Sequence, residues 1–210
     1  YEEVTRDLLG RVDGDYGRGS RRNEVVVLEH TSVNPSGPVH VGRLRNSIIG
    51  DSLRRILEYS GYRVDTHYFV NDIGKQIAII ALGMKENVGL DSGVAERYSR
   101  YRGREDYQVF FHYVSANRHF EVDEAFNKRV TDLIKKAESG DREALELITG
   151  VARKCLKGQM ETYRRLDIRF DSFDYESDLL LDGSVDNVIQ EVRKSRLLVE
   201  GDIGLGLDLS

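Results

Sequence analysis

The order of four segments between Glu24 and Val70 limits the fold more than anything else in the chain. Val25, Val26, Val27 and Leu28 stand in a row, the continuous apolar run of a strand buried on both faces of a parallel sheet. Thr31 to Pro38 follows and holds both prolines of the chain and a glycine, which rule out regular structure and predict a loop at the strand's carboxyl end. From His40 to Tyr59 the apolar residues Val41, Leu44, Ile48, Ile49, Leu53, Ile56 and Leu57 recur at helical spacing, with Gly61 where a helix terminator belongs. Tyr62 to Val70, rich in Tyr, Val and Phe, reads as a second strand. Strand, loop, helix, strand is a βαβ unit, whose strands run parallel through a right-handed crossover. The expected fold class is therefore α/β, a Rossmann-like parallel sheet.

Outside this unit, residues 1–22 are polar and interrupted by glycines, and are expected to form a frayed lead-in or the remnant of a preceding domain. Residues 23–210 are expected to form one partial Rossmann-like domain. Asp72 to Glu86 predicts a helix, and Glu105 to Leu166 is largely helical in pattern, with breaks near Asn117 and Gly140. A helical insertion is thus expected over about residues 90–167. Phe170 to Glu176 is strand-like, Val185 to Lys194 suggests a helix, and Leu197 to Leu209 suggests two short strands separated by glycines.

Composition excludes several classes. The 210 residues are 40% hydrophobic and 32% charged, a soluble globular balance, and no apolar run approaches the ~18 residues that span a bilayer. The N-terminus lacks a signal-peptide pattern, so the expected location is cytoplasmic, with no membrane partner. One cysteine, Cys155, supports neither an internal disulfide nor a zinc cluster and reads as a thiol packed on a helix; no structural metal is expected. Ser/His/Asp and Cys/His sets fail on spacing or count, so covalent catalysis is not indicated. The net charge of −5 weighs against indiscriminate polyanion binding. It is unevenly spread: Arg97 to Arg169 holds 16 Lys and Arg against 12 acids, and Phe170 to Ser210 holds 3 against 10. A basic middle and an acidic end suit contact with RNA on one face and a cation elsewhere, although solvated helix faces give similar counts.

Ligands of parallel sheets bind beyond the carboxyl ends of the strands, which is where Glu29 to Asn46 falls. A helix opening with His40 and Gly42 offers free backbone N–H groups, a positive dipole end and an imidazole donor, all favourable to phosphate. Alone, H-x-G reads as a polar helix cap with a solvent-facing histidine. It gains weight from the neighbouring prolines, Asn34, the glutamate ending the strand, and Asn71-Asp72-x-Gly74 at the end of the next strand, all directed by topology to one sheet edge. Asp72 can touch a ligand amine or cap a helix starting at Ile73; Tyr68 can line a pocket or pack in its strand. Tyr107, Phe110, Phe111, Tyr113 and Phe120 read as core rather than as an RNA-stacking platform.

Three motifs carry a family resemblance. Glu29-His30-Thr31-Ser32-Val33-Asn34-Pro35, Pro38-Val39-His40-Val41-Gly42-Arg43-Leu44-Arg45-Asn46 and Ile49-Gly50-Asp51 closely resemble the signature region of arginyl-tRNA synthetases, particularly the archaeal type. Tyr68 to Gln76 resembles that family's next signature, and Phe170-Asp171 through Glu176-Ser177 a third, in family order, over about Glu24 to Ser210. The resemblance implies a class I synthetase nucleotide-binding fold, with this chain holding its first half. It also implies that ATP, with Mg²⁺, L-arginine and tRNA(Arg) are substrates of an aminoacyl-tRNA ligase acting in translation.

Position by position, it places Pro38, His40, Gly42 and Arg43 at ATP, with His40 and Arg43 as the catalytic pair facing the α-phosphate. Ser32 and Asn34 fall at the α-amino and carboxylate groups of arginine, His40 also at the arginine site, and Glu29, Asp72 and Glu176 at the amino-acid pocket, where carboxylates suit a guanidinium. Two places depart from the pattern: Arg43 stands where the signature usually ends in histidine, and Gly37 where many members carry lysine. No K-M-S-K-S-like loop occurs in the 210 residues, so the chain reads as a synthetase fragment, inactive alone, with an unpaired sheet edge through which it can dimerise. The competing readings are another class I synthetase or nucleotidyltransferase, or a non-catalytic binding module from a split or decayed gene.

Overall fold

A computed structural model describes residues 1–194, 198–201 and 204–207. The chain divides into two compact units, each discontinuous in sequence. The first comprises Tyr1–Thr31, His40–Tyr68 and Tyr163–Phe173, the second Ser32–Val39, Phe69–Thr162 and Asp174–Ser210.

The first unit opens with α1 (Glu2–Arg11), within the stretch expected to be a frayed lead-in or the remnant of a preceding domain. Glu2 and Glu3 sit in its first turn and Arg11 in its last, and the pairs Glu2–Arg6 and Asp7–Arg11 bridge successive turns, so favourable dipole and i,i+4 charges form a helix that buries none of its residues. Strand β1 (Val25–Thr31) pairs in parallel with β2 (Arg63–Val70), from Val25 opposite Arg63 to Glu29 opposite His67. The sheet order is β1, β2, β3 (Ser172–Tyr175). Burial along β1 alternates, with Val25 51% and Val27 65% exposed and Glu29 also exposed. This corrects the expectation of a strand buried on both faces: the run of four apolar residues puts every second one on a face that no described residue covers. Helix α2 (Val41–Tyr59) ends as Gly61 takes the left-handed backbone at φ +92°, and a Cβ there would lie 2.0 Å from the Ser20 carbonyl oxygen. Here only glycine can both terminate the helix and admit the incoming segment, which is pinned by Arg22 N–H to the Gly61 carbonyl at 2.7 Å.

The second unit is mostly helical: α3 (Lys75–Lys85), α4 (Ser92–Arg97), a 3-10 turn (Ser99–Tyr101), α5 (Glu105–Val122), α6 (Glu124–Glu138) and α7 (Arg142–Arg165, whose last residues belong to the first unit). Ile77 to Gly83 of α3 are all buried and form the centre of the core with Val109, Ala116, Phe126, Val130 and Ile148. The predicted break at Asn117 is absent, because its amide donates to the Tyr113 carbonyl at 2.7 Å inside α5. The chain breaks at Asp123 instead, whose carboxylate accepts from Phe126 N–H at 3.0 Å as the cap of α6. The predicted break at Gly140 is present, at φ +84°. After β3 come α8 (Glu176–Leu181), α9 (Ser184–Lys194) and a hairpin of β4 (Leu198–Gly201) and β5 (Gly204–Leu207), antiparallel with Leu198 opposite Leu207. Positions 197, 202–203 and 208–209 of the predicted strand pair lie outside the described residues.

Candidate functional site

In the first unit, the pairing of β1 with β2 shifts register between Glu29 and Thr31, so that Thr31 faces Tyr68 and His30 is the extra residue of a bulge. The bulge turns Thr31 inward. Its hydroxyl donates to Ser47 Oγ at 2.9 Å, and Ser47 donates to the Tyr163 hydroxyl at 3.4 Å, all three residues being buried. Burial raises the Tyr163 pKa, against the bond from Ser47 and the nearby Arg43 charge. Tyr68, wholly buried, packs among Tyr163, Phe170 and Phe173 at ring separations of 5.1–6.1 Å, so of its two expected roles it has the packing one. His30 packs on Phe170 at 5.1 Å and against Gly50, where a Cβ would fall 2.1 Å from that of His30. Desolvation first, and the Arg54 charge as well, lower the His30 pKa although Asp51 opposes them, and its Nε2 is buried with no hydrogen-bond partner.

His40 is the residue before α2, extended at φ −103° and ψ 167°, and its carbonyl accepts from Arg43 and Leu44 N–H at 2.9 Å each. Its side chain is exposed and makes no capping bond. The ring lies close to Gly42, where a Cβ would stand 3.3 Å from two ring atoms, so glycine leaves the imidazole room over the first turn. That turn holds no acid and keeps its positive end uncompensated, an arrangement that receives an anion. Glu29 and Gly42 are exposed, and Arg43 is half-buried.

In the second unit, the loop Ser32–Val39 is held from α7. Gln159, wholly buried, donates through Nε2 to the Gly37 carbonyl at 2.7 Å and the Asn34 carbonyl at 3.3 Å, and the Cys155 thiol reaches Gly37 O at 3.5 Å. A Cβ at position 37 would stand 3.1 Å from the Phe110 ring, a crowded place for the lysine of the family pattern. Ser32 and Asn34 remain exposed and Pro38 half-buried. Asn34 Nδ2 donates to Gln76 Oε1 at 3.4 Å, and Gln76 donates to the Tyr113 hydroxyl at 3.0 Å.

Asp72 is fully buried and caps no helix, since α3 begins at Lys75 after Gly74. Its carboxylate instead accepts the backbone N–H of Ser177 at 2.9 Å and its hydroxyl at 2.7 Å. This brings it to Glu176, the first residue of α8, whose pKa is raised by desolvation and then by the Asp72 charge. Glu176 Oε2 is buried and without a partner. Two acids, one carrying an orphaned oxygen, form a place that gains from a cation with several N–H donors. Among the described residues no group of three or more His, Cys, Asp or Glu could hold a metal ion, and no helix is long and apolar enough to cross a membrane. Gln159 carries no sequence signal, and Gln76 and Ser177 stand in the motifs without a role of their own, because each acts through a partner more than 40 residues away.

A parallel sheet whose first strand leads through a Pro/Gly loop into a helix opened by His40-x-Gly42 defines a nucleotide-binding domain of the class I aminoacyl-tRNA synthetase kind. Residues 4–209 match the family model described as tRNA synthetases class I (R), catalytic domain, and the chain belongs to that arginyl family. It is 41% identical to an arginine-tRNA ligase of Methanothermobacter thermautotrophicus over 100% of this chain and 36% of the relative, and 34% identical to one of Methanocaldococcus jannaschii over 100% and 37%. The arginyl-tRNA synthetase of Thermus thermophilus superposes with a TM-score of 0.71 at 26% identity, covering 99% of this chain and 33% of that one. The chain spans about a third of the length of these curated relatives.

Proposed function

We propose that the protein containing this chain activates L-arginine with ATP, taken up as its Mg²⁺ complex, and transfers the arginyl group to tRNA(Arg) in the cytoplasm. The arginine carboxylate attacks the α-phosphorus, arginyl-adenylate forms and pyrophosphate leaves. The observation that carries this reading is the Asp72–Glu176 pair with its orphaned Oε2, because a guanidinium supplies the donors and the positive charge that the pair lacks. His40 and the open first turn of α2 donate to the α-phosphate as its charge grows, Arg43 adds fixed charge, and Pro38 and Gly42 leave room for the nucleotide. Ser32 and Asn34 hold the α-amino and carboxylate groups. Glu29, being solvated, contributes less to guanidinium binding than Glu176.

Thermal unfolding of the chain with non-hydrolysable arginyl, lysyl and cysteinyl adenylate analogues tests this, since a ligand at ~100 times its dissociation constant stabilises by about 2.7 kcal/mol. The expected result is a shift with the arginyl analogue alone, abolished by His40→Ala and reduced by Glu176→Gln. A shift with another analogue sinks the arginine assignment, and no shift with any moves the reading to a non-catalytic binding module.

A further inference from the structure

Residues 97–104 read Arg-Tyr-Ser-Arg-Tyr-Arg-Gly-Arg, four guanidiniums without an acid. They run from the last residue of α4 through the 3-10 turn to the residue that precedes α5. Arg104 is engaged within the fold, bonding Asp106 at 2.6 Å, the Gly158 carbonyl at 2.9 Å and Thr162 Oγ1 at 2.8 Å. Arg97, Arg100 and Arg102 are exposed, and none has an ion-pair partner among the described residues. Nearby acids are already paired: Asp106 with Arg104, Glu105 with Lys157 at 2.8 Å and Asp91 with Arg118. Of the acids flanking the segment, Glu96 alone lacks such a partner among the described residues.

The central guanidinium is seated on aromatic rings. Arg100 lies 4.6 Å from the centroid of Tyr101, which stacks on Tyr107 at 4.4 Å and 19°, and Tyr107 in turn meets Tyr98 at 5.8 Å. A guanidinium backed by a ring loses less freedom on binding, and it keeps an outward plane for a base and edge N–H groups for a phosphate. We propose that this segment is an RNA-binding surface, with Arg97, Arg100 and Arg102 taking consecutive phosphates and a base stacking over Arg100 on the Tyr101–Tyr107 pair. An acidic peptide would satisfy the charges but leave the stacking plane unused, so a chain with both phosphates and planar faces fits better. The inference does not rest on the arginine reading, because it uses none of the same residues.

The test is fluorescence anisotropy of a labelled single-stranded oligoadenylate with the whole 210-residue chain over a range of salt. Replacing Arg97, Arg100 and Arg102 together by Ser is expected to weaken binding about tenfold or more. Three single-strand phosphate contacts at roughly 0.7 each also predict that the slope of log K against log salt falls by about two. Tyr101→Leu is expected to weaken oligoadenylate and leave binding of inorganic polyphosphate unchanged. Lys135→Ser with Lys136→Ser, two exposed cations on α6, serves as the control for general charge loss, and circular dichroism confirms that each variant is folded. The proposal is overturned if the unaltered chain does not bind, if the triple variant binds as the parent does, if the α6 control weakens binding equally, or if polyglutamate competes as well as RNA.

Discussion

The amide of Gln159 and the carbonyl of Gly37 meet at 2.7 Å, 122 residues apart in sequence, with neither residue exposed. The bond fixes the backbone of the loop that carries Ser32 and Asn34 to the side of a long helix. Replacing Gln159 by Leu leaves the Gly37 carbonyl only the 3.5 Å contact of the Cys155 thiol, while the Asn34 carbonyl keeps its bond from Ser36 N–H at 2.8 Å; a buried acceptor deprived of its bond costs about 1–3 kcal/mol. Urea unfolding of the chain should show that loss, together with a weaker response of the unfolding midpoint to the arginyl analogue. An unchanged midpoint would mean that the loop holds itself.

Two glycines of α7 should respond oppositely to the same substitution. A Cβ at Gly150 meets nothing within 4 Å, so Gly150→Ala should stabilise by roughly 0.5–1 kcal/mol, through the lower chain entropy of alanine in the unfolded state. A Cβ at Gly158 would stand 2.3 Å from the backbone nitrogen of Asp106, and Gly158→Ala should destabilise by about 1–3 kcal/mol, as overpacking does. Calorimetric melting temperatures that move in the same direction for both would contradict the close approach of α5 and α7.

Two carboxylates give stability opposite dependences on pH. Glu176 is raised by burial and by Asp72, so its folded form holds a proton that the unfolded chain has released; this contribution is present below the ordinary glutamate value and is lost as pH climbs through the raised one. Asp171 is lowered by bonds from Thr66 Oγ1 at 2.6 Å and Thr66 N at 2.8 Å, so its contribution is present above the ordinary aspartate value and is lost as pH falls through the depressed one. Stability profiles of Glu176→Gln and Asp171→Asn against the parent separate the two. A flat difference for Glu176→Gln would remove the case for a buried acid there.

Guanidinium binding should follow the ionised form of Glu176. Uptake of the arginyl analogue is expected to strengthen with rising pH over the range in which that carboxyl loses its proton, and binding should release the proton. Asp72→Asn removes the neighbouring negative charge and should move this transition to lower pH, read by calorimetry in buffers of different ionisation enthalpy. Affinity independent of pH in the parent would argue that the cation binds elsewhere.

The βαβ unit was legible because its signals are local: four apolar residues, two prolines, a helical period and Gly61 each act within a few positions. The motif residues likewise match the family's signatures one by one, without reference to the rest of the chain. What sequence could not convey was accessibility. Val25 and Val27 look like core and stand exposed, Glu29 looks like a buried acid and is solvated, and Asp72 looks like a cap but accepts two bonds from Ser177. Asn117 reads as a break because a side-chain amide that satisfies itself on its own helix has the same letter as one that ends it. Gln159 gave no local signal, since its partners are supplied by the tertiary fold.

The bulge at His30 makes the inward turn of Thr31 a matter of counting. Side chains on a strand alternate with a period of two, so in an unbroken strand Thr31 would share the face of Glu29; the extra residue between them sets the threonine opposite Tyr68, the neighbour of His67, and so on the other face. Straightening β1 without changing its length would keep its composition and its apolar pattern, yet the hydroxyl that now meets Ser47 would turn to the exposed side that Glu29 occupies. The side of the sheet that Thr31 serves is thus set by the one residue of β1 that the register with β2 skips.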